Sequence, residues 1–275
     1  MILVTGATGN VGAELVRALA ASGTPVRGLT RGTGPAATPP VEYVSGDLGD
    51  PASLRPALAG VRGLFLLPGY PAMPEILAEA ARAGVEHVVL LSGSSAASGD
   101  TRNAITRYMV ESERAVRDSG LAWTVLRPSG FMSNTLEWVP QLASGDVVRA
   151  PFAGVPIATI DPYDIAAVAA GALSGDGHRG QVYRLTGPEA LRPADRLRTL
   201  GTVLGRDLRL DAQSDEDARA EMLATVPADY VDAFFDFYVT GSLDDSTVLP
   251  TVRELTGRPA RTFAQWAEAH AAAFR

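Results

Sequence analysis

The chain has 275 residues, of which 46% are hydrophobic, and its formal net charge is −7. This length allows one large α/β domain or a domain with a smaller lobe. All 24 basic residues are arginine, and the sequence contains neither lysine nor cysteine. The lack of cysteine excludes disulfides and thiolate chemistry, and an acidic balance without a basic run gives no reason to expect a nucleic-acid partner. No apolar stretch is long enough to span a membrane and no signal peptide precedes Met1, so we expect a soluble, cytoplasmic protein without a membrane partner.

The first stretch of the chain carries the clearest pattern. An apolar run over Met1–Val4 predicts a buried parallel strand, and residues 13–21 have helical character. Gly6 permits a tight turn off the strand, Gly9 lets the backbone approach a pyrophosphate, and Gly12 lets the helix pack against the sheet. We therefore predict a dinucleotide-binding loop rather than a purely structural turn. Its predicted cofactor contacts are Gly6, Thr8, Gly9, Asn10, Val11 and Gly12.

Strands and helices are predicted to alternate after this loop. Apolar runs predict strands at 25–30, 41–44, 63–67, 87–91 and 121–126, with helices that include 74–83 and 101–119. Regular alternation of this kind favours an α/β fold with a doubly wound parallel Rossmann sheet. Past residue 130 the pattern loosens, with late strands at 182–185 and 207–210 and a closing helix at 262–274. We expect a nucleotide-binding domain at 1–155, joined by the strand at 182–185, and a smaller, mostly helical substrate lobe over most of 156–275.

Four stretches of sequence resemble one family. They are Thr5–Gly12 (TGATGNVG), Leu126–Asn134 (LRPSGFMSN), Val182–Pro188 (VYRLTGP) and Gly257–Phe263 (GRPARTF), which together extend over nearly the whole chain. They resemble the NmrA-like group of atypical short-chain dehydrogenase/reductases. The resemblance implies a Rossmann fold that binds NAD(P). The group includes NADPH-dependent quinone reductases, and also members that bind the cofactor as redox sensors without turning it over.

Further cofactor contacts are expected along the carboxyl edge of the sheet, where open α/β sheets bind their ligands. Arg31 follows the second strand and suits the 2′-phosphate of NADPH, so we predict NADPH in preference to NADH; otherwise Arg31 is a solvated arginine. The resemblance implies that Asp47 and Leu48 lie along the adenine, although Asp47 is also a candidate helix cap. The remaining predicted contacts at this edge are Leu67, Pro68, Ser92, Gly93 and Pro128.

The sequence excludes the usual proton relay of short-chain dehydrogenases, in which a lysine four residues after a tyrosine lowers the pKa of the tyrosine. The resemblance puts those two positions at Ile105 and Met109, and Tyr108 is followed at the fourth position by Ser112. We therefore expect hydride transfer to a quinone or conjugated aromatic carbonyl, which delocalises the resulting charge over its own oxygen. Solvent or a hydroxyl would supply the proton. The candidate catalytic hydroxyls are those of Ser92, Ser94 and Tyr108.

A small apolar aromatic or quinone substrate is expected to contact Tyr70, Phe131 and Met132, the last two of which are equally plausible as core residues. The aromatic segment 230–238 packs in the core, lines a substrate pocket or forms the face of a homodimer. Asp161 and Asp164 start a helix and are interpreted as structural. Three scattered histidines give no metal site. We favour an oxidoreductase; the alternatives are a non-catalytic NADP(H)-binding regulator and an isomerase or epimerase that uses bound NAD(P).

Overall fold

The computed structural model describes residues 1–275, the whole chain. Its strands are β1 (Ile2–Val4), β2 (Val26–Thr30), β3 (Val41–Ser45), β4 (Gly63–Leu66), β5 (His87–Leu91), β6 (Ala122–Pro128), β7 (Val147–Ala150), β8 (Gln181–Leu185) and β9 (Arg209–Ala212). Its α-helices are α1 (Asn10–Ala21), α2 (Arg55–Leu58), α3 (Met73–Arg82), α4 (Ala104–Asp118), α5 (Val139–Leu142), α6 (Pro162–Ser174), α7 (Pro193–Leu204), α8 (Asp215–Leu223), α9 (Ala228–Phe235), α10 (Thr251–Thr256) and α11 (Phe263–His270). None of these helices has the length and apolar character that crossing a membrane requires.

Seven strands form one parallel sheet in the order β3-β2-β1-β4-β5-β6-β8, which confirms the predicted doubly wound Rossmann fold. The order runs outward in both directions from β1, so the chain reverses direction across the sheet between β1 and β4. Strands β1, β4 and β5 are buried at every residue, as expected for central strands covered by helices on both faces. The segment at 181–185 pairs with β6 and forms the last strand of this sheet.

Two apolar clusters hold the helices against the two faces of the sheet. The first contains residues of α1 and α6, among them Leu15 and Ile165, packed on Val4 and Phe65. The second joins α3 and the segment around α2 to the opposite face and includes Leu3. Because residues 3 and 4 of β1 enter different clusters, the strand alternates its side chains between the two layers.

The smaller lobe is built around a third cluster. Trp138, Trp266 and Phe263 are its largest buried side chains, and they join the segment after β6 to α7 and α11. A two-stranded parallel ribbon, β7 with β9, covers one side of it. The residues of this cluster come from 132–150, 197–200 and 263–274, so the core of the lobe forms only when distant parts of the chain pack together.

Several element boundaries differ from the predictions. The first helix begins at Asn10 rather than at residue 13, so Gly12 lies inside its first turn. Helix α4 begins at Ala104 rather than at residue 101, because the Asn103 side chain accepts hydrogen bonds from the two backbone N–H groups of residues 105 and 106. The strand predicted at 207–210 lies at Arg209–Ala212. Its partner β7 was not predicted, because a strand of only four residues gives little periodicity.

Candidate active site

The glycine loop is held tightly at the carboxyl end of β1. Gly6 has a φ of +61°, which side chains disfavour, and a Cβ on Gly12 would lie 2.1 Å from the carbonyl oxygen of Gly6. Thr5 fixes the loop to the neighbouring strand: its hydroxyl donates to the Phe65 carbonyl at 3.0 Å and accepts from the Leu67 N–H at 3.0 Å. The loop therefore has one conformation that only glycine permits at these positions.

The start of α1 suits a pyrophosphate. Its N-cap is Gly9, which provides no side chain to accept hydrogen bonds from the first turn, so those N–H groups remain available to an anion. A cavity of ≈ 160 Å³ opens beside them and is lined by residues that include Thr8, Asn10 and Ser133. The Asn10 side-chain amide donates to the Ser133 hydroxyl at 3.1 Å, which ties the loop to the segment after β6. Val11, by contrast, is buried in the core.

The predicted adenine end lies one strand away. The ends of β2 and β3 are adjacent, since the Gly46 N–H donates to the Thr30 carbonyl at 2.9 Å. Arg31 is exposed and takes part in none of the ion pairs of the structure, so its guanidinium is available to a ligand. Asp47 is exposed and accepts from the Gly49 N–H at 2.8 Å, while Leu48 is buried in the core. The helical turn at 51–54 is capped by Asp50, not by Asp47.

Ser92, at the end of β5, belongs to a buried charge network. Its hydroxyl donates to Glu113 Oε1 at 2.7 Å, and Arg127 donates to both carboxylate oxygens of Glu113 at 2.7 Å. Burial alone would raise the pKa of Glu113, but hydrogen bonds from Arg127 and Ser92, together with the charge of Arg117, lower it. Ser92 therefore donates to a carboxylate whose lowered pKa keeps it ionised, so no neighbouring acid can replace a proton that Ser92 gives away.

Ser94 pairs with a residue from a distant loop. Its hydroxyl donates to Asp245 Oδ2 at 2.9 Å, and Asp245 is only 7% exposed. The backbone of this loop is fixed as well, because the Ala158 N–H donates to the Asp245 carbonyl at 2.7 Å. Burial raises the pKa of Asp245, against the opposing hydrogen bond from Ser94 and the charge of Arg184. This carboxyl group thus holds a proton more readily than an ordinary aspartate.

Tyr108 lies across the turn that follows β4. It is the nearest neighbour of the position where a Cβ on Gly69 would lie, and its ring stacks on Tyr230 with a centroid distance of 6.3 Å. Burial, followed by the nearby Tyr230, raises the pKa of Tyr108, so its phenol stays neutral. Ser112, at the fourth position after it, accepts from the Gly69 N–H at 2.9 Å and donates to the Tyr108 carbonyl at 2.7 Å. Both side chains therefore support the turn that carries Pro68 and Tyr70.

The two predicted substrate contacts in the segment after β6, Phe131 and Met132, lie in different surroundings. Pro128 ends the strand, and Phe131 is half-buried at the edge of the first core cluster. Met132, in contrast, is 1% exposed and packs in the core of the lobe. The aromatic segment lies nearby: Phe152 contacts Phe235 and Tyr238, with ring centroids at 5.3 and 5.1 Å. Phe152 and the aromatic segment thus pack together as one cluster of rings.

The helix at Pro162–Ser174 starts as predicted, with Asp161 as its N-cap. Asp164 is completely buried and accepts from Arg258 Nη1 at 2.6 Å and from the Arg261 N–H at 2.7 Å. Arg261 also stacks over Tyr163. These carboxylates anchor the C-terminal tail to the sheet domain, which is a structural task.

The structure brings the predicted glycine loop, Ser92, Ser94 and Phe131 to one edge of the sheet. Two residues at this edge, Glu113 and Asp245, were not identified as functional candidates from the sequence. The spacing of Glu113 on an amphipathic helix gives only a weak signal, and Asp245 lies in a polar loop with no pattern at all.

Comparison with known proteins agrees with this geometry. Residues 6–176 match the model of an NAD(P)H-binding family. The chain is 46% identical, over its whole length and 99% of the relative, to a (4-alkanoyl-5-oxo-2,5-dihydrofuran-3-yl)methyl phosphate reductase of Streptomyces griseus. It is 39% identical, over its whole length and 99% of the relative, to an NAD(P)H azoreductase of Xenophilus azovorans.

Among solved structures, an NADPH-dependent quinone oxidoreductase of Escherichia coli complexed with NADPH is 25% identical, with a TM-score of 0.78 over 98% of this chain and 99% of that one. The glycine loop, the uncapped start of α1 and the surrounding cavity fit the nicotinamide cofactor named for the azoreductase and the quinone oxidoreductase. These relatives are reductases, and the chain belongs to the NAD(P)H-binding family.

Proposed function

We propose that this protein is an NADPH-dependent reductase whose substrate is a quinone or another carbonyl compound conjugated to a double bond. The observation that carries the proposal is the Ser94–Asp245 pair: a buried hydroxyl and carboxyl, hydrogen-bonded at 2.9 Å, at the same sheet edge as the glycine loop. Half-buried Phe131 lies along this edge and suits a flat, apolar acceptor. No lysine exists to support the usual tyrosine relay.

The names of the relatives support an electron-poor, conjugated acceptor. One relative is named for a dihydrofuran ring whose double bond is flanked by a ring carbonyl and an alkanoyl group, and another for a quinone. In both compounds a nucleophile can add to carbon while the negative charge moves to a carbonyl oxygen. An acceptor of this kind needs positioning and a modest proton source rather than a strongly activated acid.

In this proposal each residue of the site has a separate role in the transfer of hydride and proton to the acceptor. The bound cofactor supplies the hydride. Ser94 donates a hydrogen bond and then a proton to the oxygen or carbon of the acceptor that gains charge, and Asp245 returns a proton to Ser94 because burial raises its pKa. Ser92, fixed by Glu113, orients the edge of β5. Tyr108 packs against the turn after β4 and bounds the site there, and its phenol stays neutral.

We also propose that Arg31 selects NADPH over NADH. Its guanidinium follows β2 in an exposed turn, and no carboxylate of the protein pairs with it. A planar guanidinium forms charge-assisted, bidentate hydrogen bonds with a phosphate, whereas a ribose hydroxyl offers no charge. The turn itself is held in place because the Thr30 hydroxyl donates to the Gly32 carbonyl at 2.6 Å.

The test is the oxidation of NADPH, followed by its absorbance, with purified protein and a panel of naphthoquinones, acyl butenolides and azo dyes. Turnover above the uncatalysed rate with the quinones or butenolides supports the proposal. Tight NADPH binding without turnover of any acceptor would contradict it and would favour a cofactor-sensing regulator. Conversion of an acceptor without net NADPH consumption would instead indicate an isomerase.

A further inference from the structure

A half-buried arginine with a buried Nε lies in the smaller lobe. Arg196 is on α7, and it takes part in none of the ion pairs of the structure. Its Nε is buried and has no hydrogen-bond acceptor, and its Nη1 reaches only the Thr135 hydroxyl, at 3.4 Å. An arginine keeps its charge at any physiological pH, so a partly buried guanidinium with an unpaired N–H is costly unless an anion pairs with its accessible face.

The surroundings of Arg196 contain a second N–H donor without an acceptor. Arg196 lies over the ring of Trp138 at 5.3 Å, and the indole Nε1 of Trp138 is also buried without a partner. Most buried polar groups in folded proteins are hydrogen-bonded, so two such donors in one place are unusual. Glu137 lowers the electrostatic cost but is exposed and forms no ion pair with Arg196.

Arg196 and the proposed proton donor both connect to the segment that follows β6. Arg196 contacts Thr135 and Trp138 of this segment. Earlier in the segment, the Ser129 hydroxyl donates to the Ala158 carbonyl at 2.6 Å, and the Ala158 N–H donates to the Asp245 carbonyl at 2.7 Å. Asp245 in turn accepts a hydrogen bond from Ser94. Direct contacts therefore link α7 to the end of β5 through this segment.

We propose that Arg196, assisted by Thr135, binds an anionic group of the substrate, a phosphate or a carboxylate. The acceptor is then a conjugated carbonyl compound with a negative charge at one end, which the guanidinium holds while the conjugated system lies by Ser94. This inference rests on the proposed reductase function for the identity of the molecule, although the anion site itself can be tested without turnover.

The first experiment measures thermal stability of the NADP⁺-bound protein with benzyl phosphate, phenylacetate or benzyl alcohol. We expect a concentration-dependent rise in Tm with at least one of the two anions and none with the alcohol. Benzyl phosphate and phenylacetate distinguish the two anionic groups. The rise should disappear in Arg196→Gln and persist in part in Arg196→Lys, which keeps the charge. It should be unchanged in Arg198→Gln, since Arg198 is exposed on the same helix and pairs with Asp195.

The second experiment compares an acyl butenolide that carries a hydroxymethyl group with its phosphate ester. We expect kcat/KM to favour the ester, and we expect Arg196→Gln to reduce that preference by roughly 10- to 100-fold, the factor that follows from losing a hydrogen bond between charged groups. An unchanged preference, or a Tm response that Arg196→Gln retains, would overturn the inference. If no acceptor is reduced at all, the reductase proposal fails, and the Tm response alone decides whether the anion site exists.

Discussion

Substitutions of Gly12 and Gly9 test two roles of the glycine loop separately: the packing of α1 against the loop and the binding of the cofactor. In Gly12→Ala the new Cβ would lie 2.1 Å from the Gly6 carbonyl oxygen and 2.7 Å from its carbon, both of them backbone atoms. To relieve this contact the first turn of α1 must move by about 1 Å, and overpacking of this kind costs about 1–3 kcal/mol, here at the upper end. Alanine regains at most about 1 kcal/mol in helix propensity. We therefore expect a net loss of at least about 2 kcal/mol in the free energy of unfolding.

Gly9→Ala is the matched control. A Cβ on Gly9 meets only the Gly6 carbonyl oxygen, at 3.3 Å, and Gly9 is exposed with a φ of −86° that alanine adopts freely. The methyl group would occupy the space where a pyrophosphate approaches the loop. This variant should keep its stability and lose at least about tenfold in affinity for NADPH, an estimate based on the loss of one or two hydrogen bonds to a charged group.

Thermal unfolding without cofactor and NADPH titration by fluorescence measure the two effects. For Gly12→Ala a loss of about 2 kcal/mol corresponds to a fall in Tm of roughly 3–4 °C for a chain of this size. For Gly9→Ala the Tm should stay within about 2 °C of the wild type, since surface changes rarely exceed ~0.5 kcal/mol. An unchanged Tm in Gly12→Ala would refute the packing argument, and native NADPH affinity in Gly9→Ala would refute the proposed path of the pyrophosphate.

Three further predictions concern the site. Arg31→Ala should weaken NADPH binding about tenfold, the lower end for a charged hydrogen bond at an exposed position, and leave NADH unchanged; equal losses would show that Arg31 does not contact the phosphate. Tyr108→Phe should retain most of the activity, because burial already keeps its phenol neutral, and a loss of several orders of magnitude would contradict the mechanism. In the wild type, kcat should fall as pH rises through the raised pKa of Asp245, since only the protonated carboxyl resupplies Ser94. Asp245→Asn should lower kcat and remove that pH dependence, and a wild-type pH profile in this variant would exclude the relay.

Burial of Asp245 also makes the free energy of unfolding depend on pH, in a direction that its raised pKa determines. Its pKa is raised in the folded state, with Arg184 and Asp244 as nearby charges, so between the unfolded and folded pKa values the folded protein binds more protons than the unfolded chain. The free energy of unfolding contributed by this group is therefore fully present below the unfolded pKa and is lost as pH rises through the folded pKa. The loss of activity with rising pH is accordingly expected to accompany a loss of stability, and Asp245→Asn should remove both.

The sheet could be predicted from sequence because its signals are local. The apolar run of β1, the glycine spacing after it and the start of α1 lie within one short stretch, and each central strand is apolar throughout. Predictions of this kind need no knowledge of which distant residues meet. The capping of α6 by Asp161 could be predicted for the same reason, since cap and helix are adjacent in the chain.

The lobe could not be predicted in this way, because its contacts join distant segments. Strand β7 is recognisable only through its pairing with β9, about sixty residues later. Asp245 meets Ser94 across 151 positions, and the polar loop around Asp245 gives no sequence signal of that contact. Arg196 has the sequence context of a surface arginine, like Arg198 two positions later, and only packing distinguishes them.

The proposed proton source is consistent with the way in which α4 is used in this chain. In the usual short-chain dehydrogenases a charged lysine follows the tyrosine by four residues; here Ser112 holds the turn at Gly69, and Tyr108 packs against it. A helix used in this way has no group that gains or loses a proton near neutral pH. The buried carboxyl with a raised pKa at this edge comes instead from the loop that carries Asp245, on the opposite side of Ser94. We therefore propose that the absent lysine and the buried Asp245 belong to one arrangement, in which an acceptor that stabilises its own charge needs only the weaker acid.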